Sequence, residues 1–202
     1  GLRLLQWRPR ALREQLAALA RAAAQTTAEL RVMAPMVAVP EEAAWFAAMC
    51  REAGLPRPGV MIEVPAAALR ARDLAREAAF FSVGTNDLAQ YAFAADRQAG
   101  RLAYLNDPWH PALLDLVALA ADAGVPCGVC GEAAADPALA CVLAGLGVTS
   151  LSMSAPAIPA VRAALRRHTL AQCRAAAARA RAATSPVAAR EAARTELPGL
   201  LA

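Results

Sequence analysis

The sequence predicts an α/β chain: part of a (β/α)8 barrel of the TIM type, with about six of the eight strand–helix units present and a helical tail after them. Three observations predict it. Short apolar runs alternate with helix-length segments through short connections, the pattern of a parallel sheet covered by helices. No Gly-rich phosphate turn follows an early strand, as an open doubly wound sheet would usually show. Finally, two acids stand at the ends of successive strand-like runs, where a barrel keeps its chemically useful side chains.

Taken in order, residues 1–5 are expected to be the first strand. Over residues 8–24, Leu12, Leu16, Leu19 and Ala20 recur at helical spacing with arginines between them, an amphipathic helix that Thr26-Thr27 break. A short strand over 29–36 stops at Pro35. Pro40-Glu41-Glu42 opens a helix with proline and acids in its first turn, as the helix dipole favours, and it ends near Gly54. Residues 58–64 form a strand bearing Glu63, and Pro65 starts the next helix through Leu69 and Leu74. Residues 80–83 read as a buried strand that stops at Gly84-Thr85-Asn86-Asp87. A short helix over 87–95 and a long loop over 98–111 come next. A helix over 112–123 is turned back by Gly124-Val125-Pro126. The strand 127–130 ends in Gly131-Glu132, Asp136-Pro137 opens a helix closed by Gly145 and Gly147, and 149–153 is the last strand. The remainder, to about Arg194, is alanine- and arginine-rich helix. The expected division is a barrel part over 1–168 and a helical tail over 169–202.

A length of 202 residues allows one sizeable domain with a real core. The hydrophobic fraction of 58% is largely alanine, and no apolar run reaches the ~20 residues of a membrane span. The first residues lack both a Met and a secretory apolar stretch, so a mature start or a cut from a longer chain is expected. Every basic residue is arginine. The absence of lysine excludes Schiff-base aldolases, pyridoxal-phosphate enzymes and Walker-A nucleotide sites. Any bound phosphate must be held by arginine, backbone amides or metal. The net charge of +4 is modest, and the arginines of the tail read as a solvated helix face without aromatic interleaving, so no nucleic-acid partner is expected. Five cysteines, an odd number without a signal peptide, point to reduced thiols in a cytoplasm. Cys127 and Cys130 form a C-x-x-C, but no second pair or neighbouring histidine motif completes a zinc site, and Cys127 reads as a small core residue.

Glu63 and Asp87 end two successive strand-like segments with one helix-length segment between them. In a parallel sheet those ends lie side by side, so both acids can reach one hard cation. The competing reading is that each acid caps the following helix. Glu63 is flanked by Ile62, Val64 and Pro65, a poor setting for a merely solvated acid. Simpler readings also exist for the neighbours: Asn86 could stabilise the turn after Gly84, Arg97 could pair with Asp96, and Cys130 could be a buried strand cysteine.

Five ordered motifs carry a resemblance: Val60-Met61-Ile62-Glu63-Val64-Pro65-Ala66-Ala67; Phe80-Phe81-Ser82-Val83-Gly84-Thr85-Asn86-Asp87-Leu88-Ala89-Gln90-Tyr91; Ala95-Asp96-Arg97; Cys130-Gly131-Glu132; and Leu151-Ser152-Met153-Ser154. Together, over residues 1–166, they resemble the phosphoenolpyruvate-binding barrel of enzyme I of the bacterial sugar phosphotransferase system, a barrel shared with pyruvate phosphate dikinase and phosphoenolpyruvate synthase. The resemblance implies that Glu63 and Asp87 are Mg²⁺ ligands, that Asn86 and Asp87 contact phosphoenolpyruvate, that Arg97 binds its phosphate, and that Cys130 donates the proton to the enolpyruvate carbon. It implies transfer of the phosphoryl group to a histidine on another domain, release of pyruvate, onward transfer to a histidine-containing phosphocarrier protein, and a homodimer.

The departures are equally specific. Neither His110 nor His168 lies in a sequence resembling the family's phosphoacceptor motif, and Arg3 matches only the second arginine of a Gly-x-Arg-x-x-Arg strand. Ala134-Ala135 replaces a small residue followed by glycine. The chain is therefore expected to be the C-terminal part of a larger protein or a truncated relative, inactive by itself. The alternatives are an enzyme like pyruvate phosphate dikinase or phosphoenolpyruvate synthase, a Mg²⁺-dependent lyase or aldolase of the same superfamily, which would not be expected to carry Cys130-Gly131-Glu132, and a non-catalytic dimerisation module.

Overall fold

The computed structural model describes residues 1–199; the last three residues of the predicted tail, 200–202, lie outside the described residues. In chain order the helices are α1 (Leu2–Trp7), α2 (Pro9–Ala23), α3 (Pro40–Glu52), α4 (Pro65–Leu69), α5 (Ala71–Leu74), α6 (Thr85–Ala92), α7 (Pro111–Ala121), α8 (Glu132–Ala135), α9 (Pro137–Gly145), α10 (Ile158–Arg167), α11 (Leu170–Ala182) and α12 (Pro186–Arg194). Proline opens α2, α3, α4, α7, α9 and α12, where its missing N–H costs nothing and its fixed φ starts the helix.

Between them run the strands β1 (Val32–Ala34), β2 (Pro58–Ile62), β3 (Phe80–Gly84), β4 (Cys127–Cys130) and β5 (Ser150–Ser152). They form one parallel sheet in the order β1-β2-β3-β4-β5, each strand beside its predecessor. Ile62 pairs with Val83, Gly84 with Cys130, and Cys130 with Ser152. The C-terminal ends of four strands are thereby level.

Strand residues alternate between two faces. Val60, Ile62, Phe81, Val83, Cys127 and Val129 are all buried in the core against the helices. On the other face Met61, Ser82, Gly128 and Cys130 are half-buried, and Met33, Ser150 and Ser152 are exposed. A sheet with helices on one face and an open face on the other is part of a barrel wall, as the alternation predicts.

One strand expectation is corrected. Residues 2–5 lie in α1 and not in a strand, with Gly1 as its N-cap, so the sheet has five strands among the described residues rather than about six. Leu2 is buried and Leu5 half-buried, at helical spacing, while Arg3 and Leu4 between them are exposed. A helix closes its own backbone hydrogen bonds, whereas a strand there needs a paired neighbour. The helix expected after Pro65 is broken at Arg70 into α4 and α5, and the expected loop over 98–111 contains a 3₁₀ helix over Gly100–Asn106.

The C-terminal helices share the barrel's core. Cys173, Ala176, Ala177 and Ala180 of α11 and Ala189 and Ala193 of α12 are buried in the same cluster as β1–β4. Gly145, the last residue of α9, lets α11 come close: any side chain there would run into the backbone of Cys173. No helix among the described residues is long and apolar enough to cross a membrane.

Candidate active site

Glu63 follows the last residue of β2, and its side chain is only 4% exposed. Burying a carboxylate demands a partner. One oxygen, Oε1, accepts the backbone N–H of Met36 at 2.7 Å. Met36 reaches it from the turn after β1 because its φ is +57°, a left-handed conformation uncommon for a residue with a side chain. The other oxygen, Oε2, faces Gly84: a Cβ built on Gly84 would lie 2.9 Å from it. Burial pushes the Glu63 carboxyl above its ordinary range; the Met36 N–H opposes this, and the charge of Asp87 adds to it.

Asp87 stands in the first turn of α6, which starts directly where β3 ends, and is half-buried. Its effect on Glu63 is that of two like charges sharing a field. Asn86 beside it is exposed, and its Nδ2 lies 3.9 Å from where a Cβ on Gly131 would sit. Gly131 itself has φ +90°, a turn that glycine makes without strain. Asn86 is therefore brought to the end of β4.

Cys130 is half-buried on the open face and its thiol donates to the carbonyl oxygen of Val83 at 3.4 Å. Cys127, three residues earlier in the strand, is turned into the core, where burial raises its thiol to about 12. The two sulfurs of the C-x-x-C belong to opposite faces of the sheet, so the pair is neither a dithiol nor a metal clip.

Arg97 is exposed on the loop after α6. Its backbone N–H donates to Oε1 of Gln90 at 3.1 Å, and Asp96 is occupied by the N–H of Gln98 at 2.9 Å. Among the described residues no hydrogen bond or ion pair joins the Arg97 guanidinium to Glu63, Asn86, Asp87 or Cys130. The geometry thus gathers the strand-end residues and leaves Arg97 on the loop beside them.

A cleft of about 420 Å³ opens next to Glu63, lined by Gly1, Leu2, Arg3, Met36, Val64 and Tyr91. Arg3 in its wall donates to Glu42 at 3.0 Å. Sequence reasoning missed two contributors: the Met36 N–H, a backbone donor that leaves no residue-type signal, and Thr85, buried with its hydroxyl unpartnered between Gly84 and Asn86. For Thr85 a signal existed, since it stands inside the polar stop of β3.

The donor set suits a hard cation. Glu63 Oε2 has no protein donor among the described residues, Gly84 leaves it room, and Asp87 supplies a second carboxylate. No cluster of three or more metal-binding side chains exists among the described residues. Two carboxylates are the number that Mg²⁺ takes where water and substrate oxygens complete its shell.

Residues 1–170 match the family described as PEP-utilising enzyme, PEP-binding domain. The chain belongs to this family. The chain is 61% identical over 204 residues to the phosphoenolpyruvate-protein phosphotransferase of Streptomyces coelicolor, covering 98% of this chain and 37% of that protein. It is 47% identical to the multiphosphoryl transfer protein of Xanthomonas campestris pv. campestris over 180 residues, which is 84% of this chain and 21% of that one. It is 42% identical to the phosphoenolpyruvate-protein phosphotransferase of Geobacillus stearothermophilus over 171 residues, 77% of this chain and 29% of that one. The chain thus spans 37% or less of each of these relatives.

Proposed function

We propose that this chain is the phosphoenolpyruvate-binding part of a phosphoenolpyruvate–protein phosphotransferase, with the site at the C-terminal ends of β2, β3 and β4. The observation that carries the reading is the buried Glu63, whose free oxygen faces Gly84 and whose charge is coupled to that of Asp87. A buried carboxylate beside a second, half-buried one is costly unless a cation is shared between them.

In this reading Glu63 and Asp87 hold Mg²⁺, and Asn86, Asp87 and Arg97 bind phosphoenolpyruvate. When bound, the ion neutralises the charge that gathers on the substrate's oxygens. Arg97, on an exposed loop, holds the phosphate end by its guanidinium fork. The bond between phosphorus and the enol oxygen breaks, and the phosphoryl group goes to a histidine nitrogen. The enolate left behind takes a proton at its methylene carbon from the Cys130 thiol and becomes pyruvate. The thiolate formed at Cys130 is then reprotonated from solvent through the open face of the sheet.

The accepting histidine lies elsewhere. His168 is buried with Nδ1 against the carbonyl of Ala164 at 2.9 Å and Nε2 against that of Pro198 at 3.2 Å, so neither nitrogen is free to attack. His110 packs against the ring of Phe93 with centroids 4.1 Å apart. The proposed route therefore passes through a histidine outside this chain to a histidine-containing phosphocarrier protein. The same reading includes a homodimer, a cytoplasmic place consistent with the five free cysteines, and a working division between residues 1–168 and 169–202.

The test is calorimetric titration with phosphoenolpyruvate, with and without Mg²⁺. Binding should require the ion and be abolished in both Glu63→Gln and Asp87→Asn. Binding that is indifferent to Mg²⁺ or to both substitutions would overturn the assignment.

A further inference from the structure

Helix α12 reaches the loop that follows α6. Arg190 donates from Nη2 to both carboxylate oxygens of Asp107, at 3.3 and 3.4 Å, across 83 residues of sequence. Its guanidinium also lies 5.3 Å from the ring centre of Trp109. Such a contact adds cation–π attraction to the ion pair. Trp109 is 1% exposed, receives no freedom from its neighbours, and donates its Nε1–H to Asp136 at 2.9 Å. Asp136 in turn caps α9 through the N–H groups of Ala138 and Leu139. The pair of Arg190 and Asp107 is only about one-third and one-quarter exposed. A half-shielded ion pair stacked on a buried indole is more confined than a solvated surface pair.

From this anchor the loop is stitched back to its own start. Asn106, adjacent to Asp107, donates its Nδ2 to the carbonyl of Ala95 at 3.3 Å. Ala95 is fully buried, its N–H donates to the carbonyl of Gln90, and Arg97 follows two residues later. The Arg97 N–H is held by the Gln90 side chain. Between Phe93 and the clasp at Asn106, the loop folds into the 3₁₀ helix Gly100–Asn106, which packs against α6, and Arg97 ahead of it is exposed.

We propose that Arg190 is a positioning residue for the substrate site: through Asp107 and Asn106 it fixes the loop that presents Arg97 to the phosphate. The inference rests on the phosphoenolpyruvate reading given above for its ligand, and on the structure alone for its clasp. Helix α12 is then part of the binding machinery, although it touches neither substrate nor reacting atoms.

Two measurements on the full chain test this, with Arg190→Ala and, as a variant that keeps the size of the side chain but not its charge, Asp107→Asn. Hydrogen exchange should rise in peptides covering residues 95–106 in both variants, with β3 and α7 still protected. In titrations with Mg²⁺ present, phosphoenolpyruvate should bind on the order of ten- to a hundred-fold more weakly, the usual cost of misplacing a binding group. Oxalate, which offers two carboxylates to the ion and no phosphate, should bind as tightly as in the unsubstituted chain. Arg190→Lys, which keeps the charge but loses the planar guanidinium over Trp109, should weaken phosphoenolpyruvate less than Arg190→Ala does. Equal weakening of both ligands would mean general damage and would overturn the proposal, as would unchanged exchange in the loop. Faster exchange with unchanged phosphoenolpyruvate affinity would show a clasp that does not serve Arg97, which also overturns it. If the unsubstituted chain binds oxalate but not phosphoenolpyruvate, the substrate reading itself fails and takes the role of Arg190 with it.

Discussion

Glu63 and Gly84 are fitted to each other: the free carboxylate oxygen of Glu63 fills the space that a side chain on Gly84 would take, 2.9 Å from its Cβ position. Gly84 has φ −90°, which any residue can adopt, so the glycine serves this contact and not the backbone turn. Gly84→Ala should therefore push Glu63 aside without straining the chain. Mg²⁺ affinity, measured by titration calorimetry, should fall roughly 10–100-fold, the range seen when the support of a ligand is disturbed. An unchanged affinity would separate Glu63 from the ion.

The buried Glu63 also makes a statement about pH. Its carboxyl titrates above the ordinary 4.5, because burial outweighs the Met36 hydrogen bond. The folded chain thus holds a proton that the unfolded chain has already lost. Between the unfolded value and the raised folded one, stability falls as pH rises. Below that window Glu63 contributes no slope. Glu63→Gln keeps an oxygen for Met36 and removes the titration, so without metal it should be more stable than the original chain at pH 7 and no more stable at pH 4. Saturating Mg²⁺ should reverse the order at pH 7, since only the carboxylate form gains binding energy. Urea unfolding at the two pH values, with and without the ion, checks all of this.

Much of this arrangement was legible from residue order. The runs at Pro58, Phe80 and Cys127 are bounded by proline or glycine, and each became a strand with its useful residue at the C-terminal end. The strand ends that carry Glu63, Asn86, Asp87 and Cys130 accordingly lie side by side, because consecutive parallel strands place successive ends next to one another. The start of the chain was misread because Leu2, Leu4 and Leu5 satisfy a strand's apolar run as well as a helix's spacing, and only the paired neighbour decides. Met36 was invisible because a backbone N–H is the same in every residue, and its +57° φ is set by the turn. The clasp from Arg190 to Asp107 was invisible for a different reason: it joins residues 83 apart, and no periodicity reports such a distance.

His168 is held between two carbonyl oxygens and His110 is packed on Phe93 with its Nδ1 buried, which gives a negative prediction with a clear reading. Incubated with phosphoenolpyruvate and Mg²⁺, the chain should gain no phosphohistidine by mass spectrometry, and His168→Ala should change only stability. His168 is 8% exposed and faces two carbonyl oxygens, so losing it removes a bond between α10 and the end of the chain, at about 1 kcal/mol. Phosphate found on either ring would contradict the proposed route through an external acceptor.

The two cysteines of β4 allow the sharpest comparison. They differ by face: Cys127 is turned into the core with its thiol raised to about 12, while Cys130 lies half-open beside Val83 and Gly84. An alkylating reagent should therefore label Cys130 first and leave Cys127 untouched until the chain unfolds. Cys130→Ala should leave Mg²⁺ and phosphoenolpyruvate binding nearly intact, because the thiol is no ligand in the proposed scheme. It should slow the exchange of solvent protons into the methyl group of pyruvate by roughly 10²–10⁴-fold, the worth of a placed general acid. Serine at 130 should not restore it, since a hydroxyl is a far weaker acid than a thiol. Cys127→Ala should cost on the order of 1 kcal/mol of stability and leave exchange unchanged. Loss of exchange in Cys127→Ala alone would mean that the wrong thiol has been assigned. Exchange that persists in both variants would mean that the proton comes from water or another side chain, and that Cys130 serves only to close the strand end.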